Sequence, residues 1–560
     1  MRELKFKPRA LACLARGVAA ARRRFDPATG RFLEKDGGWA VTNQNVIYPL
    51  AAVCAADGSG RHGRDRAGLL RLAARGGDAL CDWQNPDGSW EFVKVDGSRW
   101  GPFHMPWPLY YWLEAWALLG ARLGAARRRR WAAGLRRGYA GVLGLYRKGF
   151  HVHNIPAWHA MGLVRAGALL GEPRWVRAGT GFIGQVVREM HPDGYWPEGG
   201  GPTTAYNSLY VHALGLHHAF TGDRSVLAAL RRSTAFHRLF TYPGGQAVET
   251  VDGRVQYHEH AGLCGLPGFC LFPEGRGLAG LLLEEALPGG RKGSLDPMLA
   301  SAWQFAAEGP AEAPPQKRPV FVQVHPAGGR GGRALVRRRA PWFVCLSGYL
   351  TPAKERAGVA LNRWIMDRQQ HVSVWHDRLG LVLGGGNSRG QPERSSFAVW
   401  AGGTCRHVAD SAELSAGRRG ADAIELLYGP VRCRLEVRPL DARRLELRVS
   451  AKGPRGAEAL AGLLVRPPAG AKLATSRRRT PEALDPRRSL ERSWPETGRG
   501  GWLRAGALTV RVPPGARLSW PQYPFNPYAI DGAAPKEQAA AHLRVKLVPG
   551  GATKRFVLEV

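Results

Sequence analysis

Two short stretches carry the side chains best suited to moving protons. One is His151-Val-His153-Asn154, the other Tyr206-Asn207-Ser-Leu-Tyr210, and each stands where a polar loop runs into an apolar helical pattern. Positioned Tyr and His side chains serve as general acids and bases, and an Asn amide can neutralise a substrate carboxylate. Tyr206 and Tyr210 are four apart and Asn207 three before Tyr210, so all three can gather near the start of one helix. Tyr210 can equally pack between helices, and Asn154 can equally be a helix N-cap. Glu198 follows the aromatic pair Tyr195-Trp196 and precedes three glycines, which suits backbone approaching a ligand; its plainer role is a cap. The run 249–260 reads as a β-hairpin turning at Asp252-Gly253, with Arg254, Tyr257, His258 and His260 on its second arm. Alternation sends His258 and His260 to one face and Tyr257 to the other, as an acid-base loop or equally as a solvated hairpin. A His-x-His pair without a third ligand makes no metal site, so neither metal nor cofactor is expected.

A repeat positions these groups. Apolar helices are predicted at 45–56, 106–123, 155–170 and 204–220, alternating with basic amphipathic helices at 65–82, 127–146, 173–190 and 224–239. Helical hairpins recurring at about 50 residues stack into a solenoid or close into a ring. The turns leaving the apolar helices are short, as at Gly171-Glu172, while the connections entering them are long, so the long loops share one end. Those loops hold Asp87, Trp90, His104, His153, Asn154, Trp196 and Glu198. Trp83, Trp90, Trp100, Trp107, Tyr195 and Trp196 could stack on sugar rings, with about half of them expected in the core.

The formal charge of +35, from 80 Lys and Arg against 45 Asp and Glu, favours a polyanionic partner. The basic clusters at 127–130, 337–339 and 477–479 lie in separate elements without a nucleic-acid-reading pattern, which disfavours nucleic acid. An acidic polysaccharide or oligosaccharide uses the same field and also fits the aromatic loops. The eight cysteines lack metal-site spacing and read as buried free thiols. No stretch is apolar enough to cross a bilayer, and the apolar run between Arg9 and Arg16 is too short for an export signal. The chain as written is expected in the cytoplasm, or in the periplasm or outside the cell if the start codon is misassigned. Two further helices are predicted at 275–285 and 296–308, then a Pro- and charge-rich linker at 309–319. From residue 320 the texture turns to short β-rich runs, among them 320–324, 342–346, 371–375, 396–400, 423–427, 432–437, 444–449, 461–465, 507–512 and 543–547, with 554–560 as a closing strand. Strands so spaced imply an antiparallel sandwich.

This order of textures, together with Asp193-Gly-Tyr-Trp-Pro-Glu-Gly followed by Tyr206-Asn207 and Tyr210, resembles the heparinase II/III-like polysaccharide lyases and their relatives acting on alginate and other uronate polymers. The segment is similar to that family's Asp-Gly, aromatic, Glu-Gly stretch leading into a Tyr-bearing inner helix, and Asn362-Arg-Trp-Ile-Met-Asp367 has a similar flavour in the second half. The resemblance implies a multidomain α and β protein: an N-terminal (α/α) toroid of helical hairpins, 1–308, the linker 309–319, and an antiparallel β-sandwich, 320–560. Gln84-Asn-Pro-Asp-Gly-Ser-Trp90 is similar to the Gln-to-Trp repeat of terpenoid cyclases and marks a toroid turn. The implied activity is β-elimination at a uronate, which needs carboxylate neutralisation, a base for the C5 proton and an acid for the leaving oxygen. Tyr206, Asn207, Tyr210, His153, His258 and Tyr257 are the expected catalytic residues, and Asn154, Glu198, Arg254, His260, Trp90, His104 and Trp196 the expected substrate contacts. The alternatives are a toroidal glycoside hydrolase or unsaturated-uronyl hydrolase using Asp87, Asp193 or Glu198, and a non-catalytic glycan-binding protein.

Overall fold

The computed structural model describes residues 2–56, 65–93, 99–198, 201–252, 262–287, 293–313, 320–323, 332–350, 370–384, 391–417, 420–526, 529 and 531–560. Contacts divide the chain into two compact units, one of Met1–Trp196, Ala205–Arg238 and Ala261–Pro314, the other of Pro197–Thr204, Leu239–His260 and Pro315–Val560. Each unit has its own hydrophobic core.

The first unit is helical: α1 (Lys7–Arg24), α2 (Ile47–Ala56), α3 (Arg66–Asp82), α4 (Pro106–Leu119), α5 (Ala125–Leu145), α6 (Asn154–Leu170), α7 (Pro173–Arg188), α8 (Thr204–Thr221), α9 (Leu227–Leu239), α10 (Leu266–Phe269), α11 (Pro273–Ala286) and α12 (Pro297–Phe305). The expected alternation holds. In α4 every residue from Pro108 to Trp116 is buried, the mark of a helix surrounded on all sides. In α7 only Trp175, Gly179, Ile183 and Val186 are buried, a single stripe at helical spacing.

The surrounded helices touch one another in a closed circuit. α2 packs on α4 and α4 on α6. Trp158 of α6 donates from Nε1 to Leu209 O of α8 at 3.0 Å and stacks on His212 at 5.3 Å. His212 lies 2.8 Å from Ser301 Oγ of α12, and Tyr48 Oη of α2 donates to Gln304 Oε1 of α12 at 2.8 Å. Because Gly265 N–H donates to His212 Nδ1, the ring proton sits on Nε2 and is given to Ser301. Contacts also rise in step: Trp158 meets Leu209 while Arg165 lies over Phe220, and Tyr110 meets Trp158 while Glu114 pairs with Arg165. α4, α6 and α8 therefore run the same way. His212–Ser301 and Phe220–Phe305 give α12 that direction too.

Two of the connecting loops are the same turn built twice. In Asn85-Pro-Asp-Gly-Ser-Trp90, Asn85 N donates to Ser89 O and Gly88 N to Asn85 O; in His191-Pro-Asp-Gly-Tyr-Trp196, His191 N donates to Tyr195 O and Gly194 N to His191 O. Trp90 and Trp196 then give their Nε1–H groups to Leu80 O and Val186 O, ten residues back in each case. Gly88 and Gly194 hold φ of 87° and 91°, and a Cβ there would lie 2.5 Å from the Arg137 carbonyl and 2.3 Å from that of Arg232. Only glycine lets each turn seat on its outer helix.

α1 was not anticipated from the sequence. It buries Ala10, Cys13, Leu14, Gly17, Val18 and Ala21 and packs on α2 and α12. Within the segment 309–319 expected as a linker, Gly309–Ala311 is a strand paired antiparallel with Arg2–Leu4, and the division between the two units falls after Pro314. Residues 314–319 lie outside those described.

The second unit contains two antiparallel sheets whose inner faces share one core, a sandwich-like arrangement. In the strand Val431–Pro439, residues Val431, Cys433, Leu435 and Val437 point inward and their neighbours outward. The tail strand Lys554–Glu559 lies inside its sheet, between Arg444–Lys452 and Leu508–Val512. The hairpin expected from Glu249 is corrected over its described part. Glu249–Val251 is a 3-10 turn, tied down by Tyr242 Oη donating to Glu249 Oε2 at 2.8 Å and by Thr250 and Ser373 hydroxyls 3.2 Å apart. All eight cysteines are free thiols and five of them are buried. No described helix is long and apolar enough to cross a membrane.

Candidate functional site

Parallel inner helices bring their first turns to one end of the first unit. α6 opens with His153 as N-cap in extended backbone, φ −152° and ψ 166°, and Asn154 as its first helical residue. His153 is exposed and Asn154 is 2% exposed. Trp158, one turn further on, bonds Leu209, so the residues one turn before each, Asn154 and Tyr206, stand level on neighbouring helices. Tyr206 keeps part of its surface open to solvent, as does Trp107 in the first turn of α4. Neither α4 nor α6 has a side-chain hydrogen bond capping its N-terminus, so the positive ends of both helix dipoles and the leading N–H groups of α6 face this end.

Asp296, passed over in the sequence, belongs to the same end. It caps α12, accepting from Met298 N at 2.8 Å, and burial pushes its carboxyl above the usual range. The signal for it was present: an Asp immediately before a Pro at the first helical position is a helix start. Burial also raises the nearby Cys264 thiol, to about 12.

Several expected site residues belong instead to the interior. Asn207 is fully buried; its Oδ1 accepts from Trp196 N at 3.0 Å and its Nδ2 lies 3.1 Å from Ser233 Oγ and 3.0 Å from His237 Nε2. Its amide locks α9 and the 191–196 turn to α8 and is spent there. Tyr210, also fully buried, stacks on Trp196 at 4.7 Å and 8°. Trp196 and Trp90 are each 1% exposed and serve as the wedges of the two turns. His104, 7% exposed, puts Nε2 3.0 Å from Asp87 O, and its own carbonyl lies 2.7 Å from His159 Nε2. These five are corrected from substrate-facing to structural, since each lacks open surface and holds a bonded or packed position. Tyr195 is buried in the same way. Of the proposed stacking rings, Trp83 and Trp100 are about half exposed and Trp107 partly so.

Among the carboxylates, Asp87 accepts from Ser89 Oγ at 2.6 Å and Ser89 N at 2.9 Å, and these bonds hold its pKa below the ordinary value. A general acid needs the opposite shift. Asp193 is an exposed turn residue. Glu198, 1% exposed, belongs to the second unit, where its N–H donates to Gly201 O at 2.9 Å. Arg254, Tyr257, His258 and His260 lie outside the described residues. Among the described residues no three His, Cys, Asp or Glu side chains are grouped to hold a metal ion.

No family model and no curated protein matches the chain. Solved structures do. Heparinase III superposes with a TM-score of 0.56 at 11% sequence identity, over 99% of this chain and 84% of that one. A variant of the Streptomyces coelicolor A3 chondroitin AC lyase does so with a TM-score of 0.53 at 13% identity, over 99% and 79%. From end to end, this chain is similar in fold to polysaccharide lyases.

Proposed function

We propose that this protein is a polysaccharide lyase that cleaves an acidic, uronate-containing glycan by β-elimination at the open end of the helical unit. The closed circuit of parallel inner helices reads as an (α/α) toroid, and its open end as the substrate cleft. The leading N–H groups of α6, on Asn154 and Ile155, take the uronate carboxylate, drawing charge from C5 and acidifying its proton. His153 accepts that proton, and Tyr206 delivers one to the leaving glycosidic oxygen as the C4–O bond breaks and the C4–C5 double bond forms. Trp107 offers a ring face for a neighbouring sugar. The observation that carries the reading is the bond from Trp158 of α6 to Leu209 of the parallel α8, from which His153 and Tyr206 are inferred to lie at the starts of neighbouring helices. Similarity in fold to heparinase III and chondroitin AC lyase supports a glycan-degrading role, and the surplus of positive charge favours an acidic chain.

The test is incubation with heparan sulfate, chondroitin sulfate, alginate and their oligosaccharides, following the ultraviolet absorbance of unsaturated uronate beside reducing ends. Both signals should rise together, and Tyr206→Phe should lower turnover by about a hundredfold or more while leaving the melting temperature unchanged. Reducing ends without the absorbance would replace elimination with hydrolysis.

A further inference from the structure

A second sugar-contacting surface lies on the outer face of the larger sheet of the second unit. Four of its strands lie side by side: Phe397–Ala401, Glu458–Val465, Ala540–Leu547 and Arg517–Gln522. Register fixes what they present to solvent. Trp400 opposes Glu458, Leu460 opposes Lys546, and Arg517 directly opposes Arg544. These positions line one groove of about 540 Å³, within the size of small-ligand sites. Gly402, Gly403, Gly456 and Gly515 help line the groove with no side chains of their own. Trp400 is 39% exposed, one of the few large apolar side chains left open among the described residues.

The arginine pair is the informative feature. Like charges directly opposite across a ladder are destabilising. The other sheet contains the same juxtaposition, Arg448 opposite Arg555, and resolves it with Glu446, which both arginines reach. Arg517 and Arg544 have no such carboxylate; among the described residues neither forms an ion pair, and Arg544 Nε is buried with no partner. Lys546 is paired with Glu458 at 2.6 Å. The groove thus combines an open indole face, two uncompensated guanidinium groups and, in Glu458 and Glu496, acceptors for hydroxyl groups. From strand spacing and rise, Trp400 and Lys546 are roughly 12 Å apart, enough for a short oligosaccharide.

We propose that this groove binds a segment of acidic glycan, with a sugar ring on Trp400 and a carboxylate or sulfate on Arg517 and Arg544, so that the polymer is held at a second place on the protein. The choice of an acidic glycan as occupant rests on the proposed function; the groove itself does not. The full-length protein, Trp400→Ala and the double variant Arg517→Ala/Arg544→Ala should be compared for binding to immobilised heparan sulfate, chondroitin sulfate and alginate, and for turnover of short oligosaccharides. Polymer affinity should fall by about tenfold in each variant, with melting temperature and oligosaccharide turnover unchanged. Equal polymer binding by all three proteins, whether tight or absent, overturns the proposal. Loss of oligosaccharide turnover with polymer binding intact also overturns it. Weakened polymer binding in the variants, with no unsaturated product from any protein, upholds this surface and refutes the lyase reading.

Discussion

Replacing Asn207 distinguishes a buried clasp from a catalytic amide. In Asn207→Ala, Trp196 N–H loses its acceptor and both Ser233 and His237 lose a donor. Three bonds at about 1 kcal/mol each, plus about 1 kcal/mol for leaving a buried peptide N–H unsatisfied, give a loss of roughly 4 kcal/mol. For a unit of this size that corresponds to a fall in melting temperature of about 8 °C. Burial holds the His237 pKa down at about 3, so the ring is neutral near pH 7 and its Nε2 accepts from the Asn207 amide. Asn207→Asp, of the same shape, would set a carboxylate oxygen against that lone pair. Its deficit should be largest at neutral pH and shrink as the pH falls and His237 takes up a proton to become the donor. Differential scanning calorimetry between pH 5 and 8 reads both variants, and turnover measured well below the melting transition should stay within a few-fold of the parent. Unchanged melting with lost turnover in Asn207→Ala would refute the structural assignment and return the amide to the substrate.

Acid should destabilise the helical unit for a related reason. Burial lowers the pKa of His159 to about 4 and of His212 and His237 to about 3, from an ordinary 6.5. The unfolded chain therefore binds more protons below pH 6.5, and stability present above that value is lost as pH falls toward these folded pKa values, at roughly 2 kcal/mol per histidine by pH 5. Chemical denaturation at pH 7.5, 6.5 and 5.5 should show this slope, and a flat profile would mean that the three rings are solvated. The pair of Arg165 with Glu114, bidentate at 2.7 and 3.1 Å with Glu114 fully buried, makes a second stability test. Arg165→Met should cost about 3–5 kcal/mol by stranding a buried carboxylate, and adding Glu114→Leu should restore most of it. A double variant no more stable than the single one would show that the stranded charge is not what the substitution costs.

What was legible in the sequence depended on whether a signal was local. The hairpins read correctly because a helix buried all round, such as α4, is apolar over its whole length, and its partner carries one stripe. α1 was obscured by Arg9, Arg16 and Arg22–Arg24, which interrupt its apolar face in a linear reading though they point outward once the chain is coiled. The strand Arg333–Arg339 looked like a basic cluster for the same reason, although Ala334, Leu335 and Val336 are core. The Pro-Asp-Gly turn ending in Trp90 read as architecture and its twin ending in Trp196 as a ligand motif, yet identical backbone bonds show one structural device in both places.

Asn207 and Tyr206 mark where local signals stop. They are adjacent and both polar, and nothing near them distinguishes the one left partly open to solvent from the one facing α9, because the partners that decide it, Ser233 and His237, lie 26 and 30 residues beyond Asn207. Tyr206 and Tyr210 pose a problem that sequence position could have resolved. An inner helix enclosed by its neighbours is open only at its first turn, so a side chain one turn deeper meets packing whatever its chemistry. Counted from Thr204 as helix start, Tyr206 falls inside that limit and Tyr210 beyond it. The same count admits His153 and Trp107, which keep open surface, and excludes His159 and His212, both of which the structure buries. In a bundle of parallel inner helices, distance from the helix start therefore removes residues that type alone would admit, while Asn207, within the same limit yet buried, is removed only by its distant partners.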